Sequence, residues 1–106
     1  MKQSVYLEEF KKTIDQMLDI TTKKGKDYAD AEDTFRNFRQ CEILGLCKAE
    51  KGILVRMSDK MTRIANLLDH DANVADEKIE DTLIDLAVYA IILKCYLKEQ
   101  RELKKE

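Results

Sequence analysis

Asp85 stands out chemically, because the segment LIDLAVYAIIL from Leu83 to Leu93 is otherwise apolar apart from the hydroxyl of Tyr89. Such a segment is expected to be mostly buried, and burying an unpaired carboxylate costs on the order of several kcal/mol, so Asp85 must shift its pKa or find a partner. Asp81 lies one helical turn earlier and Glu77 a further turn back, which lines three acids along one face. Mg²⁺ takes oxygen ligands of this kind, usually one or two carboxylates together with water and substrate phosphates. Glu77, Glu80 and Asp81 also have a plainer reading as acids that complement the dipole at a helix N-terminus. That reading does not reach Asp85.

A second group is RMSDKMTRI, where Arg56, Asp59, Lys60 and Arg63 are expected on one side of a helix, opposite a stripe of Ile53, Met57, Met61 and Ile64. Arg56, Lys60 and Arg63 suit phosphate oxygens, or neutralise Asp81 and Asp85. A solvated face laced with i,i+4 ion pairs accounts for the same residues. The third group is the irregular stretch holding Lys23, Lys24, Lys26, Asp27, Tyr28, Asp30, Phe35, Arg36, Asn37, Phe38 and Arg39. Bases interleaved with aromatics can hold a phosphate and stack a nucleobase. Equally, Tyr28, Phe35 and Phe38 can simply pin a surface loop to the core. No glycine-rich phosphate cradle occurs, His70 sits where a helix is expected to end, and no Ser, Thr or Cys has a recognisable base partner for covalent hydrolysis.

Helices must position these groups. The chain has no proline and three glycines among 106 residues, with abundant Lys, Glu, Leu, Ile, Ala and Asp. Leu7, Phe10, Ile14, Met17 and Leu18 recur at helical spacing from about Tyr6 to Lys24, with Glu8 and Lys12 able to pair on the other side and Gly25 suited to a C-cap. A short helix is expected around Cys41 to Leu46. Ile53, Met57, Met61, Ile64 and Leu68 mark a second long helix ending near His70. HDANVADE reads as a connection with Asp76 as N-cap, and the last helix then runs from Glu77 to about Leu103. The expected fold is all-α: one domain over residues 1–106, an antiparallel bundle of three longer helices plus one or more short ones, completed by oligomerisation.

Nineteen basic and 21 acidic residues leave a net charge of −2, which offers duplex nucleic acid no general field. Cys41, Cys47 and Cys95 form no CxxC pair, so they read as reduced thiols and place neither a disulfide framework nor a zinc site. The charged N-terminus and the short apolar run near residue 90 suggest neither a signal peptide nor a membrane span, and a cytoplasmic protein is expected.

Taken together, KGKDYADAEDTFRNFR, GILVRMSDKMTRI and IEDTLIDLAVYAII resemble the nucleotide-modification-associated domain family, small helical proteins of phages and bacteria. The resemblance covers roughly residues 23 to 93. That family is in turn distantly similar to all-α nucleoside triphosphate pyrophosphatases of the MazG type, which bind Mg²⁺ through an ExxE pair on one helix and an ExxD-like pair on a later one. Asp81 and Asp85 correspond best to the later pair. The middle helix departs from the pattern, offering only Asp59, with Lys60 and Arg63 where a second acid belongs.

Two functions follow from the resemblance. In one, Mg²⁺ on Asp81, Asp85 and Asp59 or Asp27 bridges the phosphates of a nucleoside triphosphate, and Arg56, Lys60, Arg63 or Lys26 stabilise the developing charge. In the other, the same pocket grips a nucleotide or cyclic-nucleotide signal without cleaving it, as phage sponge proteins do, with Asp85 paired to Lys60 or Arg63 and an aromatic on the base. The nucleotide-binding candidates are Lys26, Asp27, Tyr28, Phe35, Arg36, Asn37, Arg39, Arg56, Lys60 and Arg63. The metal candidates are Asp59, Asp81 and Asp85. A third reading is a helical interaction module in which Asp85 only fixes helix register.

Overall fold

The structure, a computed structural model, describes the backbone of residues 1–28, 33–69 and 72–105, and the side chains of residues 1–23, 33–69 and 78–105. It is all-α. The helices are α1 (Gln3–Tyr28), a 3₁₀ turn (Arg36–Arg39), α2 (Gln40–Ile43), α3 (Ala49–Leu68) and α4 (Ala72–Lys104), and no strand occurs among the described residues. The chain divides into two compact units, Met1–Thr34 and Phe35–Glu106.

The first unit is carried by α1. Its Asp19–Lys23 ion pair at 3.1 Å and its Tyr6–Phe10 edge contact at 5.9 Å are the i,i+4 interactions that favour a helix. Thr13 and Thr22 donate their hydroxyls to the carbonyls of Glu9 and Leu18. The helix does not stop at Gly25, as its sequence suggests, but runs on to Tyr28. A single interior glycine costs only about 1 kcal/mol relative to alanine, and no proline follows to stop the helix.

The second unit is built on an antiparallel pair. Residues 69–71 alone separate α3 from α4, early α3 packs on late α4 through Ile53 and Tyr96, and Lys60 meets Asp85 near the middle. The expected connection HDANVADE is helical from Ala72 onward, so Asp76 lies inside α4 and not at its N-cap position; its side chain lies outside the described residues. Neither Gly nor Pro occurs between 69 and 76 to interrupt the helix.

The buried face of α3 also differs from the expected stripe. Ala49 and Ile53 are buried, Met57, Lys60, Ile64 and Leu67 are half-buried, while Met61 is 60% and Leu68 67% exposed. The inward residues from Ile53 on step by four and three, the spacing of a two-helix seam. Lys60 therefore takes an inward position and Met61 turns outward. Packing against a carboxylate on α4 makes that choice the favourable one.

The 3₁₀ turn and α2 close one end of this pair. Phe35, Ala49, Ile53 and Tyr96 form the core, flanked by Phe38, Met57, Ile92 and Leu93. Phe35 meets Tyr96 edge to face at 5.7 Å. After α2 the chain reverses in a Schellman turn: Gly45 has φ +74°, its N–H bonds the Glu42 carbonyl at 2.9 Å, and Leu46 N–H bonds the Cys41 carbonyl at 2.9 Å. The reversal brings the Glu42 carboxylate to the start of α3, where it accepts the Ala49 N–H at 2.8 Å. An anion at that terminus satisfies a free donor and the helix dipole together.

Candidate functional site

Four of the residues singled out by chemistry meet on one part of the α3–α4 pair. Lys60 Nζ lies 3.3 Å from Asp85 Oδ2, with 29% and 33% of the two side chains exposed. The carboxylate in the apolar segment thus has a direct basic partner, which also donates it a hydrogen bond. One turn away on α3, the Arg56 guanidinium lies over the Phe38 ring, 5.0 Å from its centroid. That distance is within the range of a cation–π contact. Phe38 in turn meets Tyr89 edge to face at 6.5 Å, and Tyr89 is one turn beyond Asp85 on α4.

The arrangement has two adjoining rows: Arg56, Phe38 and Tyr89 in one, Lys60 and Asp85 in the other. Arg56 is exposed, Phe38 and Tyr89 half-buried. A guanidinium held over an aromatic ring is restrained without being consumed, so its N–H fork remains available to a phosphate and its outer side to a planar base. Lys60 adds a second cation whose charge Asp85 balances when no ligand is present.

The remaining candidates are distributed differently. Phe35 is 8% exposed and belongs to the core, so its ring has no open face for stacking, contrary to its place among the expected ligand residues. Arg39 pairs with Glu99 at 3.7 Å, further along α4. Arg36 and Asn37 are exposed on the 3₁₀ turn, and Arg63 is exposed on α3. The side chains of Lys26, Asp27 and Tyr28 lie outside the described residues, as do Lys24, Asp30, His70 and Glu77. Asp59 and Asp81 are both exposed. Among the described residues no three of His, Cys, Asp or Glu come together in a way that could hold a metal ion, so Asp59, Asp81 and Asp85 do not form the expected cluster. The reason is the register of α3: it turns Lys60, not Asp59, toward Asp85.

Sequence reasoning missed several contacts. Phe38 and Tyr89 were visible as aromatics, but nothing in their spacing indicated that they touch. Glu42 gave no signal as a remote cap for α3. A groove of about 790 Å³ lies elsewhere, between α2, the start of α3 and the later half of α4, with Leu93, Leu97 and Tyr96 among its lining and Lys48, Lys94 and Arg101 around it. None of the candidate ligand residues lines it. Burial, with Glu42 and Glu50 nearby, pushes the Tyr96 phenol above its ordinary range, so it stands there as a neutral hydroxyl.

No helix among the described residues is long and apolar enough to cross a membrane. Comparison with known protein families, characterised proteins and solved structures finds no match, so the class the chain can be assigned on its fold is that of small all-α proteins.

Proposed function

We propose that this protein handles a nucleotide, and that the face made by Arg56, Phe38, Lys60, Asp85 and Tyr89 binds a nucleoside phosphate and returns it intact. The observation that carries the reading is the Arg56 guanidinium held over Phe38, one turn from a lysine already anchored on Asp85. Two cations one turn apart on a helix are spaced to meet neighbouring phosphate oxygens, and the aromatic pair beside them gives a base something to lie against. The three motifs that resemble the nucleotide-modification-associated domain family support the same ligand class. In this reading the protein sequesters a nucleotide or cyclic-nucleotide signal, as a sponge does.

A second reading, a Mg²⁺-dependent nucleoside triphosphate pyrophosphatase, is favoured by the i,i+4 spacing of Asp81 and Asp85 on α4. It requires Lys60 to leave Asp85 when metal and substrate enter. Both readings take a homo-oligomer as the working form, because α1 carries Leu7, Phe10, Ile14 and Leu18 at 45–64% exposure and a second copy of the chain would cover such a stripe.

The test is incubation with ribo-, deoxyribo- and cyclic nucleotides, with and without Mg²⁺, following thermal shift and product mass. Stabilisation with the ligand recovered intact, lost in Arg56→Ala and retained in Arg101→Ala, is the expected result. Metal-dependent release of pyrophosphate or monophosphate supports the hydrolase instead. Ligand-induced stabilisation that Arg101→Ala abolishes moves the site to the groove, and silence across the panel leaves Lys60 and Asp85 as a device for helix register.

A further inference from the structure

The three cysteines carry no pairing motif, yet two of them are neighbours in space. The Schellman turn folds Cys47 back on the end of α2, where its N–H points to the Cys41 carbonyl at 3.4 Å. The neighbouring Cys41 thiol, burial, and the nearby Glu42 and Glu50 raise the Cys47 pKa above its ordinary value. Both sulfurs face Gly52 in the first turn of α3: a Cβ there would lie 2.7 Å from Cys41 Sγ and 3.9 Å from Cys47 Sγ. Any side chain at 52 would occupy the space the thiols share. Gly52 is half-buried inside a helix, where glycine is otherwise unfavourable, so the thiol pair supplies a reason for its presence. Cys41 and Cys47 are partly accessible, and Cys95 is exposed on α4.

We infer that Cys41 and Cys47 form a vicinal dithiol that closes reversibly to a disulfide on reaction with a low-molecular-weight disulfide. A thiolate from one cysteine attacks the reagent and displaces its first thiol, giving a mixed disulfide. The second thiolate attacks the protein sulfur of that bond and displaces the second reagent thiol. The two protein thiols lose two electrons and two protons, and the reagent disulfide is reduced to two thiols. The Schellman turn and the start of α3 hold the second sulfur beside the first, and that raised effective concentration favours the closed form. Cys41 Sγ also lies 3.6 Å from the Phe38 carbonyl and 3.7 Å from the Lys48 carbonyl, so closure changes contacts of the 3₁₀ turn that carries Phe38. This inference does not depend on the nucleotide reading.

The experiment uses the full chain equilibrated with oxidised and reduced glutathione at set ratios, quenched with an alkylating reagent and digested with trypsin without reduction. Arg39 and Lys48 bound a single peptide, QCEILGLCK, that holds both cysteines, whereas Cys95 falls in CYLK. The expected product is the 40–48 peptide two hydrogens lighter and without alkyl groups, at a glutathione ratio at least about tenfold more reducing than the same chain needs in urea. Cys41→Ser and Cys47→Ser should each stop at a glutathione adduct on the remaining cysteine, and Cys95→Ser should leave the 40–48 result unchanged. Glutathione adducts on 40–48 without the closed form, or equal closure in folded and urea-unfolded chains, would overturn the inference. Both outcomes are read from peptide mass and are independent of whether any nucleotide binds.

Discussion

Replacing Asp85 by Asn keeps the side-chain shape and removes the charge that faces Lys60. At 3.3 Å the gross attraction is about 5 kcal/mol for an effective dielectric of about 20, but desolvation of both groups offsets most of it. With 29% and 33% of the side chains exposed, the pair stands between a surface bridge, worth roughly 0.2–1 kcal/mol, and a buried one, whose disruption costs about 3–5 kcal/mol. Asp85→Asn is therefore expected to destabilise by about 1–2 kcal/mol, a fall in Tm of about 4–8 °C for each kcal/mol in a compact unit of this size. In a cycle with Lys60→Met the coupling energy should be about 1 kcal/mol and should shrink in high salt. Lys60→Met/Asp85→Leu should return to within about 0.5 kcal/mol of the starting protein, or exceed it, because an apolar seam needs no charge balance. Urea unfolding of the starting protein, the two single variants and the two double variants measures all of this. A coupling energy indistinguishable from zero would refute the assignment of Lys60 as the partner of Asp85.

Other substitutions probe separate contacts. Phe38→Ala removes the ring under Arg56 and should weaken nucleotide binding by about tenfold, about 1.4 kcal/mol, as measured by calorimetry. Gly52→Ala sets a Cβ against Cys41 Sγ and should cost about 1 kcal/mol despite alanine's better helix propensity, with most of the loss recovered in Gly52→Ala/Cys41→Ala, read as Tm. Gly45→Ala forces a Cβ into the left-handed region and should destabilise by roughly 1–2 kcal/mol in denaturant unfolding. Glu42→Ala leaves the Ala49 N–H without its acceptor and should cost about 1 kcal/mol in the same assay.

The helices themselves were legible in the sequence, because apolar periodicity without proline leaves few alternatives. Asp85 was legible as an anomaly for the same reason: a charge inside an apolar run has to be answered. Which residue answers it was harder to read, since Lys60 and Met61 are adjacent and each continues the α3 pattern from Met57 by one turn. The choice depends on α4 and so lies outside any single-helix pattern. Helix ends were misjudged at Gly25 and around residues 70–76, where composition suggested a turn and the backbone stays helical at Gly25 and from Ala72 on. Asp59 is turned outward by the same register that exposed Met61, and Phe35 was taken for a ligand residue because an aromatic flanked by charge looks alike in sequence whether its ring faces in or out. Cys41 and Cys47 escaped notice because a Schellman turn, not a sequence spacing, makes them neighbours.

The short connection between α3 and α4 bears on how the chain folds. With only residues 69–71 between them, the two helices can meet first near that link and close toward Ile53 and Tyr96, so each successive contact encloses only a slightly longer loop. Such a hairpin can also close out of step. A slip of one heptad along α4 would set Lys60 opposite Ile92 or Lys78 instead of Asp85, burying a lysine against an alkyl chain or facing it with a like charge. The Lys60–Asp85 ion pair halfway along the seam thus penalises mispaired hairpins during closure, before the core around Tyr96 has formed.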